Sequence, residues 1–213
     1  MAAFQTPRRE VERGAAHTPL RFAAARLSVC SAAVKRAVFL DRDGTIIEDK
    51  DYLHLPEEVV IYPGVGAALK QLQDAGFVLV MVTNQSGVGR GYFPIEDVHR
   101  VHEHLARELA REGVRFVRIY IAPEAPDAPS RGRKPSPQFL FDARGDLGVD
   151  LARSFMIGDK LIDLECGWNA GVQRSLLVRT GYGRKVEQKG GLKDAVVADD
   201  LPAAAQWILA QPS

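Results

Sequence analysis

The sequence has few cysteines and no long apolar segment. Its 213 residues contain only two cysteines, Cys30 and Cys166, which lie far apart in the chain. Such a pair cannot build a disulfide framework, so the composition favours a reducing, cytoplasmic location. No stretch approaches the roughly 20 apolar residues that a membrane-spanning helix requires. We therefore expect a cytoplasmic protein with no membrane partner.

A strong excess of charge of one sign is also missing, since the formal net charge is +1. The charge is nevertheless unevenly distributed. Residues 1–36 carry seven basic and two acidic side chains, a net charge of +5, so the other 177 residues carry −4. This mildly acidic part of the chain has no basic surface of the kind that binds nucleic acid. We predict that nucleic acid is not a partner.

Residues 1–34 lack hydrophobic periodicity. Their arginines interrupt the Ala-rich part, which is unlike the apolar region of a signal peptide, although a transit peptide is conceivable. Without an apolar pattern, this segment has little to offset its ordering entropy. We predict a disordered or artefactual extension over 1–34 and one domain over 35–213. Val34 stands where a GUG start codon would encode an initiating methionine.

What the sequence does contain is a regular alternation of short apolar runs and amphipathic segments. Hydrophobic residues make up 46% and charged residues 26%, which are globular proportions. We predict strands over 37–40, 77–82, 114–121, 154–157 and 173–178, separated by helical segments. This order indicates βαβ crossovers. The predicted fold is therefore α/β, a three-layer Rossmann-like doubly wound parallel sheet.

Two aspartates directly follow the first predicted strand. Side chains two positions apart on a strand point the same way, so Asp41 and Asp43 would face one reacting group at the edge where α/β sheets bind ligands. Asp41 is a candidate carboxylate nucleophile, and Asp43 a candidate general acid and base. A strand that ends in an ordinary Asp-Gly turn fits this segment equally well.

Other polar residues follow the remaining strands, and these decide between the two interpretations. Since the carboxyl ends of parallel strands share one edge, these side chains should converge. A nucleophilic carboxylate, further acids for a cation, a hydroxyl and two fixed cations are the groups that phosphoryl transfer requires. Those that follow the later strands are Thr83, Asn84, Arg133, Lys134, Asp159 and Asp163.

Four segments together resemble the haloacid-dehalogenase-like (HAD) phosphatases, within them the heptose-bisphosphate and histidinol phosphatase branch. The resemblance extends from about residue 35 to the end of the chain, and its most specific parts are Thr-Asn-Gln-Ser-Gly and Arg-Lys-Pro. It implies a HAD fold and a magnesium-dependent phosphomonoesterase that acts on a sugar phosphate through an aspartyl-phosphate. The segments are 41–45, 83–92, 133–135 and 158–160.

The resemblance also implies a substrate and a role for each residue. A heptose 1,7-bisphosphate is favoured, with histidinol phosphate or varied small metabolites as alternatives, and an inactive binding module as a remote one. The implied catalytic residues are Asp41, Asp43, Thr83 and Lys134. Magnesium would be bound by Asp41, Asp159 and the backbone carbonyl of Asp43, with Asp163 behind these ligands or in direct contact.

The implied substrate-binding residues lie in four parts of the chain, and the expected partner is a small phosphorylated molecule bound by a monomer. One part is a loop that would close over the sugar. The residues are Asp49, Lys50, Asp51, Tyr52, Thr83, Asn84, Gln85, Ser86, Arg133, Lys134 and Lys160.

The spacing of the motifs excludes a large lid. About thirty residues separate the first motif from the second strand, and a loop with one helix uses them. A separate cap domain needs ~50 residues or more. We therefore predict a capless enzyme whose site is covered only by short loops.

The loop before Arg133 departs from the family pattern. Many members bind a structural zinc ion there through cysteine and histidine, but no Cys or His occurs between Leu105 and Glu165. A zinc site of the usual ligands cannot form, so we expect no structural zinc. Prolines at every third position, 123, 126 and 129, could stiffen the loop instead. The alternative is a loop that lost its metal and became mobile.

Three histidines in the second helical segment resemble a metal cluster. Only His99 and His102 share a helix face, because His104 lies elsewhere on the helix. Charged residues are interleaved among them. We predict that His99, His102 and His104 belong to a solvated helix surface.

Overall fold

A computed structural model describes residues 35–212 of the chain, so the predicted extension over 1–34 lies outside the described residues. Short 3₁₀ turns occur at Pro56–Glu58 and Leu151–Arg153. The strands and helices follow one another as β1 (Arg36–Leu40), α1 (Val65–Asp74), β2 (Phe77–Asn84), α2 (Ser86–Gly89), α3 (Ile95–Ala110), β3 (Phe116–Ala122), α4 (Gln138–Leu147), β4 (Phe155–Gly158), α5 (Leu161–Ala170), β5 (Arg174–Val178), α6 (Gly183–Lys189), β6 (Val196–Ala198) and α7 (Leu201–Leu209).

The six strands form one parallel sheet in the order β3-β2-β1-β4-β5-β6. Strand β1 therefore has β2 on one side and β4 on the other. The chain adds strands in one direction up to β3 and then returns to add β4 on the opposite side of β1. Ligands of open α/β sheets bind outside the carboxyl ends of the strands at such a reversal.

Helices cover both faces of this sheet. Alternate residues of a strand point to opposite faces. Val38 and Leu40 accordingly pack in one hydrophobic cluster with residues of α1, α3 and α7. Ala37 and Phe39 pack in a second cluster with residues of α4 and α5. The predicted three-layer α/β fold is confirmed, and burial on both faces explains why β1 is continuously apolar.

Three elements were not predicted from the sequence, namely the four-residue helix α2, the helix α6 and the strand β6. Strand β6 pairs with β5 at one edge of the sheet but has only three residues, Val196–Ala198. Three residues are too few to show a periodic pattern. Helix α6 is also short, and its sequence is strongly polar. The five strands that the sequence predicted are all present, as β1 to β5.

The segment between β1 and α1 is a compact loop. It is held by isolated bridges that pair Asp43 with Ile47 and Ile47 with Ile61. Within residues 35–212 no separate cap domain occurs, as the spacing predicted. None of the helices in this part of the chain is long and apolar enough to cross a membrane.

The packing of α1 against the sheet gives a first test. Leu69 is fully buried in the cluster that α1 shares with α7. Leu69→Ala should lower the free energy of unfolding by about 2–5 kcal/mol, because the lost contacts leave a cavity. Urea unfolding followed by circular dichroism measures this change. Leu209→Ala, on a side chain that is 37% exposed, is the control and should cost less than about 1 kcal/mol. Equal losses would contradict the described packing.

Candidate functional site

Strand β1 ends at a buried carboxylate. Asp41 is 5% exposed, and its backbone N–H still donates to Ile157 O at 3.0 Å, which extends the pairing between β1 and β4. Its Oδ1 accepts the N–H of Arg42 at 2.7 Å and lies 2.7 Å from Lys134 Nζ. This carboxylate is therefore oriented by its own backbone and by one ammonium group.

Lys134 lies between two carboxylates. Its Nζ is 2.7 Å from Asp41 Oδ1 and 2.7 Å from Asp163 Oδ1, and the lysine is almost fully buried. Burial alone would lower the pKa of Lys134, but the charges of Asp163 and Asp41 outweigh it and raise the pKa. The lysine is therefore a permanent cation at the centre of the site.

A third carboxylate completes the group. Side-chain oxygens of Asp41, Asp159 and Asp163 lie within 4.8 Å of one another. Asp159 Oδ1 is buried without a hydrogen-bond partner among the described residues, and Lys160 Nζ is 3.9 Å away. Burial, only partly offset by Lys160, raises the pKa of Asp159 to about 8. Converging carboxylates with an unsatisfied oxygen fit a hard divalent cation such as Mg²⁺.

Two glycines enclose the carboxylate of Asp159. A Cβ atom at Gly44 or at Gly181 would lie 2.2 Å from Asp159 Oδ2. Both glycines also have positive φ angles, +82° and +53°, which other residues adopt at a cost. The backbone N–H of Tyr182 donates to Asp159 Oδ2 at 2.8 Å. The Asp-Gly turn after β1 thus provides close approach to β4 rather than a simple loop.

Asp43 belongs to a separate network. Its carboxylate accepts hydrogen bonds from Arg42 Nη2 at 2.9 Å and from Gln85 Nε2 at 2.9 Å. The same Gln85 Nε2 donates to Thr83 Oγ1 at 2.8 Å. The carboxylate of Asp43 is 17% exposed and lines a cavity, whereas Arg42 is completely buried. Arg42 and Gln85 therefore fix the carboxylate of Asp43, which lines the cavity.

The ends of β2 and of the loop before α4 are joined by a reciprocal pair of bonds. Asn84 Nδ2 donates to Lys134 O at 3.2 Å, and Lys134 N donates to Asn84 Oδ1 at 3.0 Å. Asn84 thereby positions the backbone of Lys134. The strand ends that the sequence predicted to converge do so through direct contacts.

The loop that precedes Arg133 is tied together by side chains. Ser130 Oγ donates to Glu124 Oε2 at 2.7 Å and accepts the N–H of Arg133 at 3.1 Å. Arg133 Nη1 donates to the carbonyl of Glu124 at 3.2 Å. These hydrogen bonds join the two ends of the loop. Neither of the two alternatives for this loop, stiffening by prolines or mobility after loss of a metal, included such bonds.

A cavity of about 220 Å³ opens in front of these groups. One wall is the loop that contains Asp51 and Tyr52, whose φ angles are +42° and +60°. A left-handed conformation is unfavourable for tyrosine and is more common where function requires it. Lys160 Nζ bonds Asp49 Oδ2 at 2.9 Å and lies 4.9 Å from the ring centroid of Tyr182. Backbone strain and a cation over an aromatic ring thus shape the entrance.

The predicted site residues divide into three sets. Those that line the cavity are Asp43, Asp49, Asp51, Tyr52, Asn84, Gln85, Ser86 and Lys160. Those that are buried and outside its lining are Asp41, Thr83, Lys134, Asp159 and Asp163. Lys50 and Arg133 lie elsewhere, and the Nζ of Lys50 donates to the carbonyl of Glu58.

Four residues that line the cavity were not predicted as site residues, and the two with polar side chains are Arg42 and Tyr182. Arg42 stands inside the first motif but received no role, although its position between two functional aspartates was a signal. Tyr182 follows β5, and the rule that strand ends share one edge would have found it.

The prediction for the three histidines is wrong for His102. It is 5% exposed, whereas His99 is exposed as expected. The buried residues of α3 include Val98, His102, Leu105 and Leu109, which are spaced as one face of a helix. This spacing was visible in the sequence, but the neighbouring charges obscured it.

Comparisons with known proteins agree with this geometry. A family model described as polynucleotide kinase 3 phosphatase matches residues 36–162, and one described as HAD-hydrolase-like matches 132–204. The chain is 41% identical to D-glycero-beta-D-manno-heptose-1,7-bisphosphate 7-phosphatase of Haemophilus ducreyi, over 78% of this chain and 94% of the relative. It is 37% identical to D-glycero-D-manno-heptose-1,7-bisphosphate 7-phosphatase of Thermosynechococcus vestitus, over 81% and 94%.

A solved structure is also similar. D,D-heptose 1,7-bisphosphate phosphatase from B. bronchiseptica, complexed with magnesium and phosphate, superposes with a TM-score of 0.77 at 36% identity. The match covers 82% of this chain and 98% of that structure.

The unsatisfied carboxylate of Asp159 gives a second test. Asp159→Asn should weaken Mg²⁺ binding by at least about tenfold, because the cation loses a charged ligand. Isothermal titration calorimetry measures the affinity. The metal-free variant should melt no lower than the wild type, since a poorly neutralised buried acid is removed. Asp199→Asn, at a 74% exposed side chain, is the control. Unchanged Mg²⁺ affinity in Asp159→Asn would exclude this residue as a ligand.

Proposed function

The chain belongs to the D-glycero-D-manno-heptose-1,7-bisphosphate 7-phosphatase family of HAD-like hydrolases, and we propose that it removes the 7-phosphate from that heptose bisphosphate. One observation carries the proposal. The carboxylates of Asp41, Asp159 and Asp163 converge at the carboxyl edge of the sheet, and the buried ammonium of Lys134 contacts two of them. This arrangement supplies a nucleophile, a cation site and a fixed positive charge within one small volume.

Asp41 is the proposed nucleophile. Both of its side-chain contacts, with Lys134 Nζ and with the N–H of Arg42, are made by Oδ1. We therefore assign Oδ2 to the attack on phosphorus, which forms an aspartyl-phosphate. Lys134 and the hydroxyl of Thr83 are the proposed partners of the phosphoryl oxygens, where they would stabilise the charge that develops in the transition state.

Asp43 is the proposed acid and base. In the first step it donates a proton to the oxygen of the departing sugar. In the second step it takes a proton from the water that attacks the aspartyl-phosphate. Its place on the cavity wall supports both transfers, because the leaving oxygen and the water must enter from the cavity. A general acid or base of this kind typically contributes ~10²–10⁴-fold to the rate.

The residues proposed to hold Mg²⁺ are Asp41, Asp159 and the backbone carbonyl of Asp43. Asp163 adjoins them and accepts the N–H of Lys160 at 2.9 Å, which supports a role in direct contact or immediately behind. When bound, the ion offsets the repulsion between the Asp41 carboxylate and the substrate phosphate. Lys134 and the more distant Lys160, 3.9 Å from Asp159, supply two positive charges to three carboxylates, which supports a bound cation at this position.

The cavity lining supports a polar substrate whose far end extends outward. Amide and hydroxyl groups of Asn84, Gln85 and Ser86 are proposed to bind the sugar, together with Lys160. The loop over residues 49–52 is proposed to cover it, and Arg133 to bind near its distal end. The absence of a cap domain within residues 35–212 leaves room for the second phosphate of a bisphosphate.

We further propose a monomer of the cytoplasm that needs neither nucleic acid nor membrane. The buried free thiol of Cys166 is consistent with a reducing compartment. Light scattering after size-exclusion chromatography measures the molar mass, which should be that of one chain, 23.4 kDa. Twice this mass would refute the proposed monomer.

A substrate panel tests the proposed function. Phosphate release should be measured with D-glycero-D-manno-heptose 1,7-bisphosphate, histidinol phosphate and simple sugar phosphates. We expect the highest kcat/KM for the heptose bisphosphate and loss of activity with EDTA that magnesium restores. A higher kcat/KM for histidinol phosphate would refute the substrate assignment, and no release from any ester would refute the phosphatase.

The nucleophile assignment gives a third prediction. Asp41→Asn should lower kcat by roughly 10³-fold or more while the protein stays folded, because an amide of the same shape cannot attack phosphorus. The substrate-panel assay measures kcat, and circular dichroism checks the fold. Asp146→Asn, at an exposed residue of α4, should retain the activity of the wild type. Turnover by Asp41→Asn within a few fold of the wild type would exclude an aspartyl-phosphate at this residue.

We also propose that the protein holds no structural zinc. The bonds among Glu124, Ser130 and Arg133 tie the loop together through side chains, and the loop has no cysteine or histidine. Elemental analysis of the purified protein should therefore find far less than one zinc ion per chain. One tightly bound zinc per chain would refute this proposal.

A further inference from the structure

Arg42 is the largest side chain that is completely buried in the described residues. Its guanidinium donates to the carboxylate of Asp43 through Nε and Nη2, and to Gln85 Oε1 at 3.2 Å. The remaining nitrogen, Nη1, lies 3.2 Å from Nε2 of His102. Arg42 thus connects a cavity-lining carboxylate to an imidazole on the buried face of α3.

The chemistry of the pair fixes the tautomer of His102. A guanidinium has only donors, so Nε2 of the imidazole must accept the hydrogen bond. Nε2 is therefore unprotonated, and the single ring proton is on Nδ1. The ring stays neutral because burial and the adjacent charges of Arg42 and His99 lower the pKa of His102 to about 3. A neutral acceptor is the form that this position requires.

We propose that His102 is a positioning residue, whose unprotonated Nε2 fixes the guanidinium of Arg42 and, through it, the carboxylate of Asp43 that faces the cavity. The inference rests on the proposed function, in which Asp43 transfers protons. His102 does not itself touch the cavity that holds Asp43.

The alternative contacts of Arg42 show why an acceptor at His102 matters. Nη2 already serves Asp43 and Gln85, and the carbonyl of Leu53 is 3.5 Å away. Without His102, Nη1 would be a buried charged donor that has lost its partner, which is costly. The guanidinium would then turn toward another acceptor. Asp43 would move with it, because the two are joined by three hydrogen bonds.

Three substitutions separate positioning from packing. In His102→Gln, the amide oxygen can reach the place of Nε2 and accept from Arg42. In His102→Asn, the side chain stays polar but is too short, and in His102→Leu the acceptor is absent. His99→Leu is the matched control, because it makes the same change one turn earlier on α3 at a side chain that is exposed.

We expect His102→Asn and His102→Leu to lower kcat by about tenfold to a hundredfold, the scale of a displaced catalytic group. KM should change less than about threefold, because Asp43 acts in the chemical step. His102→Gln should keep kcat within about threefold of the wild type, and His99→Leu should match the wild type. If His102→Leu does not fold, the comparison of Asn with Gln decides. Equal activity in Gln and Asn, whether both high or both low, would overturn the inference.

A measurement without turnover keeps this inference separate from the proposed function. In ¹⁵N NMR of the wild type near pH 7, the ring of His102 should show a protonated Nδ1 and an unprotonated Nε2. A proton on Nε2 would overturn the inference even in an active enzyme. If the wild type hydrolyses no phosphate ester, the proposed function fails, and the positioning of a catalytic Asp43 fails with it whatever the spectrum shows. If the wild type is active but His102→Asn and His102→Gln have the same kcat, only the positioning role of His102 is refuted and the proposed function stands.

Discussion

The charge balance at the carboxyl edge of the sheet is the constraint on which the rest of the site depends. Three buried carboxylates, those of Asp41, Asp159 and Asp163, converge within 4.8 Å. Such a group is expensive unless each charge has a partner. Lys134 lies between two of the three, and the remaining one, Asp159, keeps an oxygen without a hydrogen bond. The fold therefore holds three converging acids whose full ionisation is costly, as the raised pKa of Asp159 shows, and a divalent cation would stabilise the ionised form.

The sheet topology produces this convergence. Because the strand order reverses beside β1, the ends of β1 and β4 are adjacent, and they carry Asp41 and Asp159. The short Asp-Gly turn and Gly181 then allow backbone to approach the carboxylate of Asp159 closely. Lys134 comes from the loop before α4 and is fixed by Asn84 at the end of β2. Three neighbouring strands thus contribute to one site without a separate binding domain.

Much of this could be predicted from the sequence, because apolar runs on a parallel sheet mark the strand ends and one edge collects them. The prediction failed where contacts depend on tertiary packing. His102 looked solvated among its charged neighbours, yet it lies on the buried face of α3. The Glu124 to Ser130 bond joins residues with no shared periodicity. Such contacts follow from how loops and helices meet, which local patterns do not encode.

The two aspartates of the first motif have different surroundings, and this difference supports the different roles proposed for them. Asp41 is held by one lysine in a site where further carboxylates crowd it, which suits the proposed attack on phosphorus beside a cation. Asp43 is held by Arg42 and Gln85 at the cavity wall and is more exposed, so it can exchange protons with molecules that enter. Pairs of acids whose environments differ in this way commonly divide nucleophilic and acid–base work. Since the two aspartates are only two residues apart in the chain, the separation must come from the residues behind each carboxylate, which are Lys134 for Asp41 and Arg42 with His102 for Asp43.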